Sequence, residues 1–234
     1  MNRIITIISF FCIALSSFAQ DDWLYEQCED TCKHIHGIDL SHYQGDVFWQ
    51  AVGDNRKMAY VYLKATEGGD NIDSRYADNI RMAKAAGLKV GSYHFFRPKT
   101  AVHLQLENFT AQCRPEDQDL IPMIDIETTA KLSEEAFTDS LMSFLQLIEE
   151  YYHQKPLLYT GRNFYNKYLS GGLVDEYKLM IAMYNTDEEP VLIDDRDITM
   201  WQYTGKGSIN GVKGYVDKSR FVGKHGLREL RFRR

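Results

Sequence analysis

The sequence predicts an α/β fold, an irregular TIM-like barrel of about five β/α units followed by three β-strands. The first observation is that a short apolar run recurs eight times, and eight strands close a small barrel. The second is that helical patterns separate the early runs, whereas the late connections carry none. The third is the length of 234 residues, which suits such a barrel as one domain.

The predicted strands are apolar runs that end in polar or aromatic residues. This pattern is typical of parallel strands whose carboxyl ends share one functional rim. The eight runs are 36–39, 58–65, 89–95, 121–127, 156–160, 179–184, 198–203 and a weaker one at 215–217.

Helical periodicity fills the gaps between the early strands. The segment 74–86 has an apolar stripe and stops at Gly87, a suitable C-terminal cap. The segment 133–152 begins with the capping residue Ser133 and repeats apolar residues at helical spacing. The other predicted helices are 47–55, 100–113 and 163–168. Two late segments lack apolar periodicity and are predicted to be loops, 185–197 and 204–214.

The amino terminus predicts a signal peptide. Arg3 precedes an apolar run at 4–15, and a Ser-x-Ala cleavage site ends at Ala19. A transmembrane anchor is the alternative, but the run is shorter than the roughly 20 residues of a membrane span. We therefore expect export to the periplasm or the outside, with no integral membrane segment after cleavage. The predicted parts are a signal peptide at 1–19, a leader at 20–34 and the barrel domain at 35–234.

Composition and charge narrow the class of partner. The hydrophobic fraction of 44% and the charged fraction of 26% are those of an ordinary globular protein. The formal net charge is −6, and loss of Arg3 with the signal peptide would make it −7. An acidic chain is not attracted to nucleic acid by its overall field, so we expect no nucleic-acid partner. We expect a monomer.

Three cysteines would remain after cleavage, Cys28, Cys32 and Cys113. In an oxidising compartment this odd count suggests one disulfide and one buried thiol, and the sequence does not choose the pair. Cys28 and Cys32 precede His34 and His36, which raises the alternative of a zinc site. Their spacing is not one of the strong zinc patterns, so we predict no metal and no cofactor.

The strongest chemical signal is the pair of acids that ends the run 121–127, Asp125 and Glu127. Side chains two residues apart in a strand point to the same face. Two close carboxylates in a partly desolvated barrel mouth repel each other, which raises at least one pKa towards that of a general acid. Glycosidic hydrolysis uses such an unequal pair. Helix capping or cation binding is the alternative, but Asp39 and Asp217 at two other strand ends favour catalysis.

Aromatic and hydrogen-bonding residues are predicted at the same rim. Sugar rings pack their C–H faces on aromatic planes, and their hydroxyl groups need polar partners. The aromatic candidates are Tyr62, Tyr93, Tyr159, Tyr184, Trp201 and Tyr203. The polar candidates are Lys64, Asn185 and Gln202. Each aromatic residue alone could equally pack in the core, but six at one end indicate a sugar-binding cleft.

Six segments in this order resemble the motifs of glycoside hydrolase family 25, the Chalaropsis-type lysozymes. They are GIDLSHYQG at 37–45, YLKATEG at 62–68, AAGLKVGSYHF at 85–95, DIE at 125–127, MWQY at 200–203 and VD at 216–217. The resemblance covers about 35–221.

The resemblance implies an N-acetylmuramidase that cuts the β-1,4 bond between N-acetylmuramic acid and N-acetylglucosamine in peptidoglycan glycan strands. It implies that Glu127 is the catalytic acid and that Asp125 supports the 2-acetamido group of the substrate. Asp39 and Asp217 match further active-site aspartates, and Glu67 is a candidate of second rank. Because the acetamido group can act as the nucleophile, a substrate-assisted mechanism is expected.

Two other functions fit the same residues. A chitinase-like hydrolase of N-acetylglucosamine polymers would use the same acetamido chemistry. A cell-wall-binding module without activity is the second alternative, which the presence of all four acids disfavours. Turnover of chitin oligomers and of peptidoglycan would separate these functions.

Overall fold

The computed structural model describes residues 36–233, which form one closed α/β barrel. In chain order the strands are β1 (His36–Leu40), β2 (Met58–Glu67), β3 (Asn71–Ile72), β4 (Lys89–Phe95), β5 (Met123–Asp125), β6 (Leu157–Gly161), β7 (Lys178–Ala182), β8 (Met200–Gly207) and β9 (Val216–Phe221). The α-helices are α1 (Trp49–Gly53), α2 (Tyr76–Ala85), α3 (Val102–Gln112), α4 (Glu134–Tyr152) and α5 (Arg162–Tyr168). Short 3₁₀ turns are found at His42–Gln44, Pro115–Asp117 and Leu227–Leu230.

The sheet closes through eight strands, as the sequence predicts. Strands β1, β2 and β4 to β8 pair in parallel, and β9 lies antiparallel to both β8 and β1. The ninth strand, β3, adds only a short antiparallel pairing to β2. Five β/α units are therefore followed by three strands without full helices, which confirms the predicted fold class.

Helix boundaries agree with the capping signals in the sequence. The Ser133 hydroxyl accepts a hydrogen bond from the backbone N–H of Ala136 at 3.3 Å, which caps α4. Gly87 follows α2 with a φ of 86°, the left-handed conformation that glycine adopts freely. One loop prediction is partly wrong, because the first residues of 204–214 continue β8. Thr204 and Gly207 pair with Lys218 and Val216 of β9.

Side-chain alternation divides the buried residues into two cores. One core lies between the barrel and its helices and includes Phe96, Phe109, Phe144, Leu158 and Ile181. The other fills the barrel interior and includes Tyr60, Tyr62, Met123, Leu157, Met180, Met200 and Phe221. The interior is thus plugged by large side chains below the rim, so chemistry is confined to the mouth.

Several predictions fall on residues outside the described range. These are the signal peptide at 1–19, the leader at 20–34, and the cysteines Cys28 and Cys32. Cys113 is fully buried and forms no disulfide with another described residue. Within residues 36–233 no helix is long and apolar enough to cross a membrane.

Candidate active site

The carboxyl ends of the parallel strands place four acids at one mouth of the barrel. Asp39 ends the inward-facing row of β1, and its partner across the sheet is Asp217 of β9. Asp125 ends β5 and lies between Phe95 of β4 and Tyr159 of β6. Because β9 is antiparallel, its amino end rather than its carboxyl end lies at this mouth. The prediction that Asp217 ends a strand is therefore wrong: it is the second residue of β9, and the antiparallel direction of β9 brings it to this mouth.

Asp125 and Glu127 occupy different environments although they are two residues apart. Asp125 is buried, and its Oδ1 atom has no hydrogen-bond partner among the described residues. Burial and the charge of Glu127 raise the pKa of Asp125 well above its usual value. The side chain of Glu127 is exposed to the groove. Partial desolvation there raises the pKa of Glu127, and the charge of Lys64 opposes this rise.

The second acidic pair is coupled to the first. Burial raises the pKa of Asp39 to about 8, with the Gln202 hydrogen bond opposing the rise and the charge of Asp217 adding to it. Burial and the charge of Glu127 raise the pKa of Asp217 to about 6. Like charges in a water-poor site disfavour ionisation of each other, so the mouth retains protons near neutral pH.

A hydrogen-bond network joins three strands across the mouth through Gln202. The hydroxyls of Tyr159, at 2.8 Å, and Tyr184 donate to its Oε1 atom. Its Nε2 atom donates to Oδ2 of Asp39 at 2.9 Å. Since Gln202 is buried, this network fixes the orientation of Asp39 and of both tyrosine rings. Tyr93, half-buried, completes this side of the mouth.

Lys64 and Glu67 lie together at the rim, with an arginine that the sequence reasoning missed. Lys64 Nζ is 2.6 Å from Oε2 of Glu67, and Arg97 also pairs with this carboxylate. Both cations lie over the ring of Phe95. Burial would raise the pKa of Glu67, but hydrogen bonds from Lys64 and Arg97 hold it below its usual value. Glu67 is therefore a carboxylate that holds Lys64 and Arg97 in place at the rim.

Three residues predicted to contact sugar have side chains that the structure places away from the mouth. Tyr62 is fully buried in the barrel interior, and its hydroxyl donates to the carbonyl of Ile121. Trp201 is the immediate neighbour of inward-facing Gln202, so it points outwards. There it donates from Nε1 to the carbonyl of Met183 at 2.7 Å. Tyr203, also outward, contacts His36.

A groove of about 810 Å³ extends from Glu127 and Tyr159 over the ends of β6 and β7. Tyr184 and Asn185 form part of its wall, as predicted residues of the cleft. Arg162 and Met183 also line it and were missed by the sequence reasoning. Their positions gave only a weak signal, because Arg162 comes two residues after the predicted strand 156–160 and Met183 lies inside the predicted strand 179–184.

A closed barrel with acids and tyrosines at one mouth, beside a groove of about 810 Å³, is consistent with the architecture of a glycoside hydrolase. The chain matches the family model described as "Glycosyl hydrolases family 25" over residues 38–212, most of its length. The chain therefore belongs to glycosyl hydrolase family 25, and it is an enzyme of the glycoside hydrolase class.

Individual relatives agree with this assignment. The uncharacterised protein YegX of Escherichia coli K12 is 30% identical over 193 residues, which cover 81% of this chain and 70% of the relative. The autolytic lysozyme of Clostridium acetobutylicum is 34% identical over 190 residues, covering 80% of this chain and 56% of the relative. The crystal structure of a lysozyme from Streptomyces coelicolor superposes with a TM-score of 0.76 at 28% identity, covering 86% of this chain and 96% of that one.

Proposed function

We propose that this chain is a lysozyme, an N-acetylmuramidase that hydrolyses the β-1,4 bond between N-acetylmuramic acid and N-acetylglucosamine in peptidoglycan. The observation that carries the proposal is the unequal pair at the end of β5, a buried Asp125 beside an exposed Glu127. Family membership and the names of relatives, an autolytic lysozyme among them, support the choice of peptidoglycan over chitin.

In this proposal Glu127 is the general acid and then the general base. Its raised pKa keeps a proton available for the departing glycosidic oxygen. As the C–O bond breaks, the carbonyl oxygen of the substrate's own 2-acetamido group bonds to the anomeric carbon. Glu127 then takes a proton from water, whose oxygen attacks the same carbon and releases the acetamido group. Two displacements at one carbon retain the anomeric configuration.

Asp125 is proposed to orient the acetamido group. Its Oδ1 atom is buried and lacks a partner among residues 36–233, so it is available to accept from the acetamido N–H. Asp39 also has an Oδ1 atom without such a partner, whereas Gln202 holds its other oxygen. We assign Asp39 and Asp217 to substrate positioning at the same mouth. Tyr93, Tyr159, Tyr184 and Asn185 are proposed to pack against or bind the sugars, with Lys64 and Gln202 orienting them.

The test of Glu127 is the substitution Glu127→Gln. Glutamine keeps the size of the side chain but cannot donate the proton, so we expect release of reducing ends from purified cell walls to fall roughly 100-fold to 10,000-fold. The melting temperature should stay within a degree or two of the wild-type value, because Glu127 is exposed. Full activity in this variant would contradict the assigned role.

Product analysis tests the bond and the mechanism separately. Mass spectrometry of fragments from defined peptidoglycan should show N-acetylmuramic acid at the new reducing ends, and chitin oligomers should be poor substrates. Early NMR spectra should show the retained anomer. An inverted product would exclude the acetamido group as nucleophile while leaving the enzyme class intact.

We also propose that the protein is exported as a monomer and acts on the cell wall outside the cytoplasm. The pattern of residues 1–19 supports export, as does the wall substrate proposed above. Mass spectrometry of the mature protein should find Gln20 as its first residue.

A further inference from the structure

Arg162 is a cation in the groove whose role the proposed mechanism does not explain. It is the first residue of α5, immediately after β6, and its side chain is half-buried. Among the described residues that line the groove, it is the only arginine or lysine. The same lining includes Glu127 and Tyr159, so the groove is continuous with the proposed catalytic centre.

The guanidinium of Arg162 has no acidic partner within the described part of the chain. Its recorded contact is from Nη1 to the sulfur of Met183 at 3.5 Å, a weak acceptor. Glu189, another residue of the groove, is already 2.8 Å from Arg220. A half-buried arginine normally satisfies its planar donors with a carboxylate or phosphate, because these geometries match. Because Arg162 lines the groove and has no acidic partner among its described residues, its donors are available to a ligand in the groove.

The proposed substrate supplies such a group on only one of its two sugars. N-Acetylmuramic acid differs from N-acetylglucosamine by a lactyl ether on O3. Its carboxyl group is free in bare glycan strands, whereas in the intact wall it carries a peptide that has carboxylates of its own. Chitin has no carboxylate at all.

Building on the proposed function, we infer that Arg162 binds a carboxylate of the lactyl or lactyl-peptide substituent of muramic acid and so selects peptidoglycan over chitin. Glu127 sets the bond that is cut, and Arg162 recognises the substituent that marks the muramic sugar. The groove over β6 and β7 then holds this substituent beside the sugar chain.

The experiment compares wild type with Arg162→Gln on three substrates. These are intact peptidoglycan, glycan strands freed of peptide by an amidase, and the same strands with the lactyl carboxylate converted to a methylamide. Arg162→Gln should raise KM roughly tenfold on one or both charged substrates, a change typical of losing one charge-assisted hydrogen bond. The kcat should change less than about twofold, and the methylamide strands should show no difference between the two proteins. Arg162→Lys should recover part of the affinity for charged strands.

The control is Arg81→Gln, because Arg81 lies in α2, lines a different cleft and pairs with Asp78 at 3.3 Å. It should behave as wild type on all three substrates. An effect confined to intact wall would assign the carboxylate to the peptide, and one confined to stripped strands to the lactyl group. An unchanged KM on both charged substrates, or an equal loss on the methylamide, would overturn the inference. A wild-type protein that cleaves none of them would instead overturn the proposed function.

Discussion

At the scale of single residues, the site is defined by carboxylates whose pKa values are raised by complete or partial burial. Asp39 and Asp217 face each other across β1 and β9, where burial raises their pKa values to about 8 and about 6. The charge of Asp217 adds to the rise at Asp39, and that of Glu127 adds to the rise at Asp217, so at neutral pH Asp39 holds a proton. Keeping these groups protonated lowers the free energy of unfolding at neutral pH, because the same groups ionise freely in the unfolded chain.

Asp39→Asn is expected to stabilise the fold at pH 7 while reducing activity. The unfolded chain loses the Asp39 proton near pH 3.8, whereas the folded protein keeps it up to about pH 8. The free energy of unfolding therefore falls as pH rises between these values. Asparagine cannot ionise and still accepts from Gln202. Thermal unfolding should show a gain in Tm that is small at pH 4 and larger at pH 7, roughly 2–4 °C for each kcal/mol relieved.

The control for this substitution is Asp187→Asn, since Asp187 is exposed in the loop that follows β7. It should leave Tm unchanged at both pH values. A gain from Asp39→Asn that is equal at pH 4 and pH 7 would show that Asp39 ionises normally in the folded protein.

At the scale of elements, strand alternation explains which of the residues predicted to contact sugar face the mouth. Trp201 and Gln202 are adjacent in β8, so only one of them can face the mouth. The sequence pattern identified the end of the strand, but it gave no direct signal for which of the two side chains faces the barrel interior. Trp201 faces outwards, where the guanidinium of Arg220 lies over its ring. Its Nε1 atom donates a hydrogen bond to the carbonyl of Met183 and so helps to hold the backbone just before Tyr184 in place. A residue predicted to touch sugar instead supports the wall of the groove.

Trp201→Phe is expected to lower stability chiefly by removing one hydrogen bond. The partly buried carbonyl of Met183 loses its donor, which costs about 1 kcal/mol. Urea unfolding should show a lower midpoint.

Tyr184→Phe is the matched comparison, because it removes a hydroxyl that binds Gln202 at the exposed groove wall. That variant should lose activity with little change in the midpoint. An unchanged midpoint with a raised KM in Trp201→Phe would restore Trp201 as a sugar contact.

At the scale of the whole molecule, the barrel was predictable because each strand buried on both faces leaves an apolar run in the sequence. Asp39, Asp125 and Glu127 were predictable because they end or follow such runs, whereas Asp217 is the second residue of its strand. The direction of β9 was not predictable from the sequence, since its apolar run is short and is interrupted by Lys218 and Arg220. Strand β3 left no signal because both of its residues are exposed. Arg97 and Arg162 were missed because a cation after a strand resembles an ordinary solvated residue until the fold shows its neighbours.

The barrel interior offers the last prediction, because its tyrosines occupy space left by glycine. A Cβ atom at Gly37 would lie 2.0 Å from Cε2 of Tyr60, whose hydroxyl is fixed by Ser219 at 2.9 Å. Gly37→Ala should therefore destabilise the fold by about 1–3 kcal/mol or more, measured as a lower urea midpoint. Gly161→Ala is the matched control, since no atom lies within 4 Å of its added Cβ and its φ of −72° suits any residue. The free energy of unfolding of this control should change by less than about 0.5 kcal/mol, so its urea midpoint should stay close to that of the wild type. If Gly37→Ala and Gly161→Ala had equal urea midpoints, the Tyr60 ring would have to be able to move out of its position. The barrel interior below the mouth would then be less tightly packed than the structure shows.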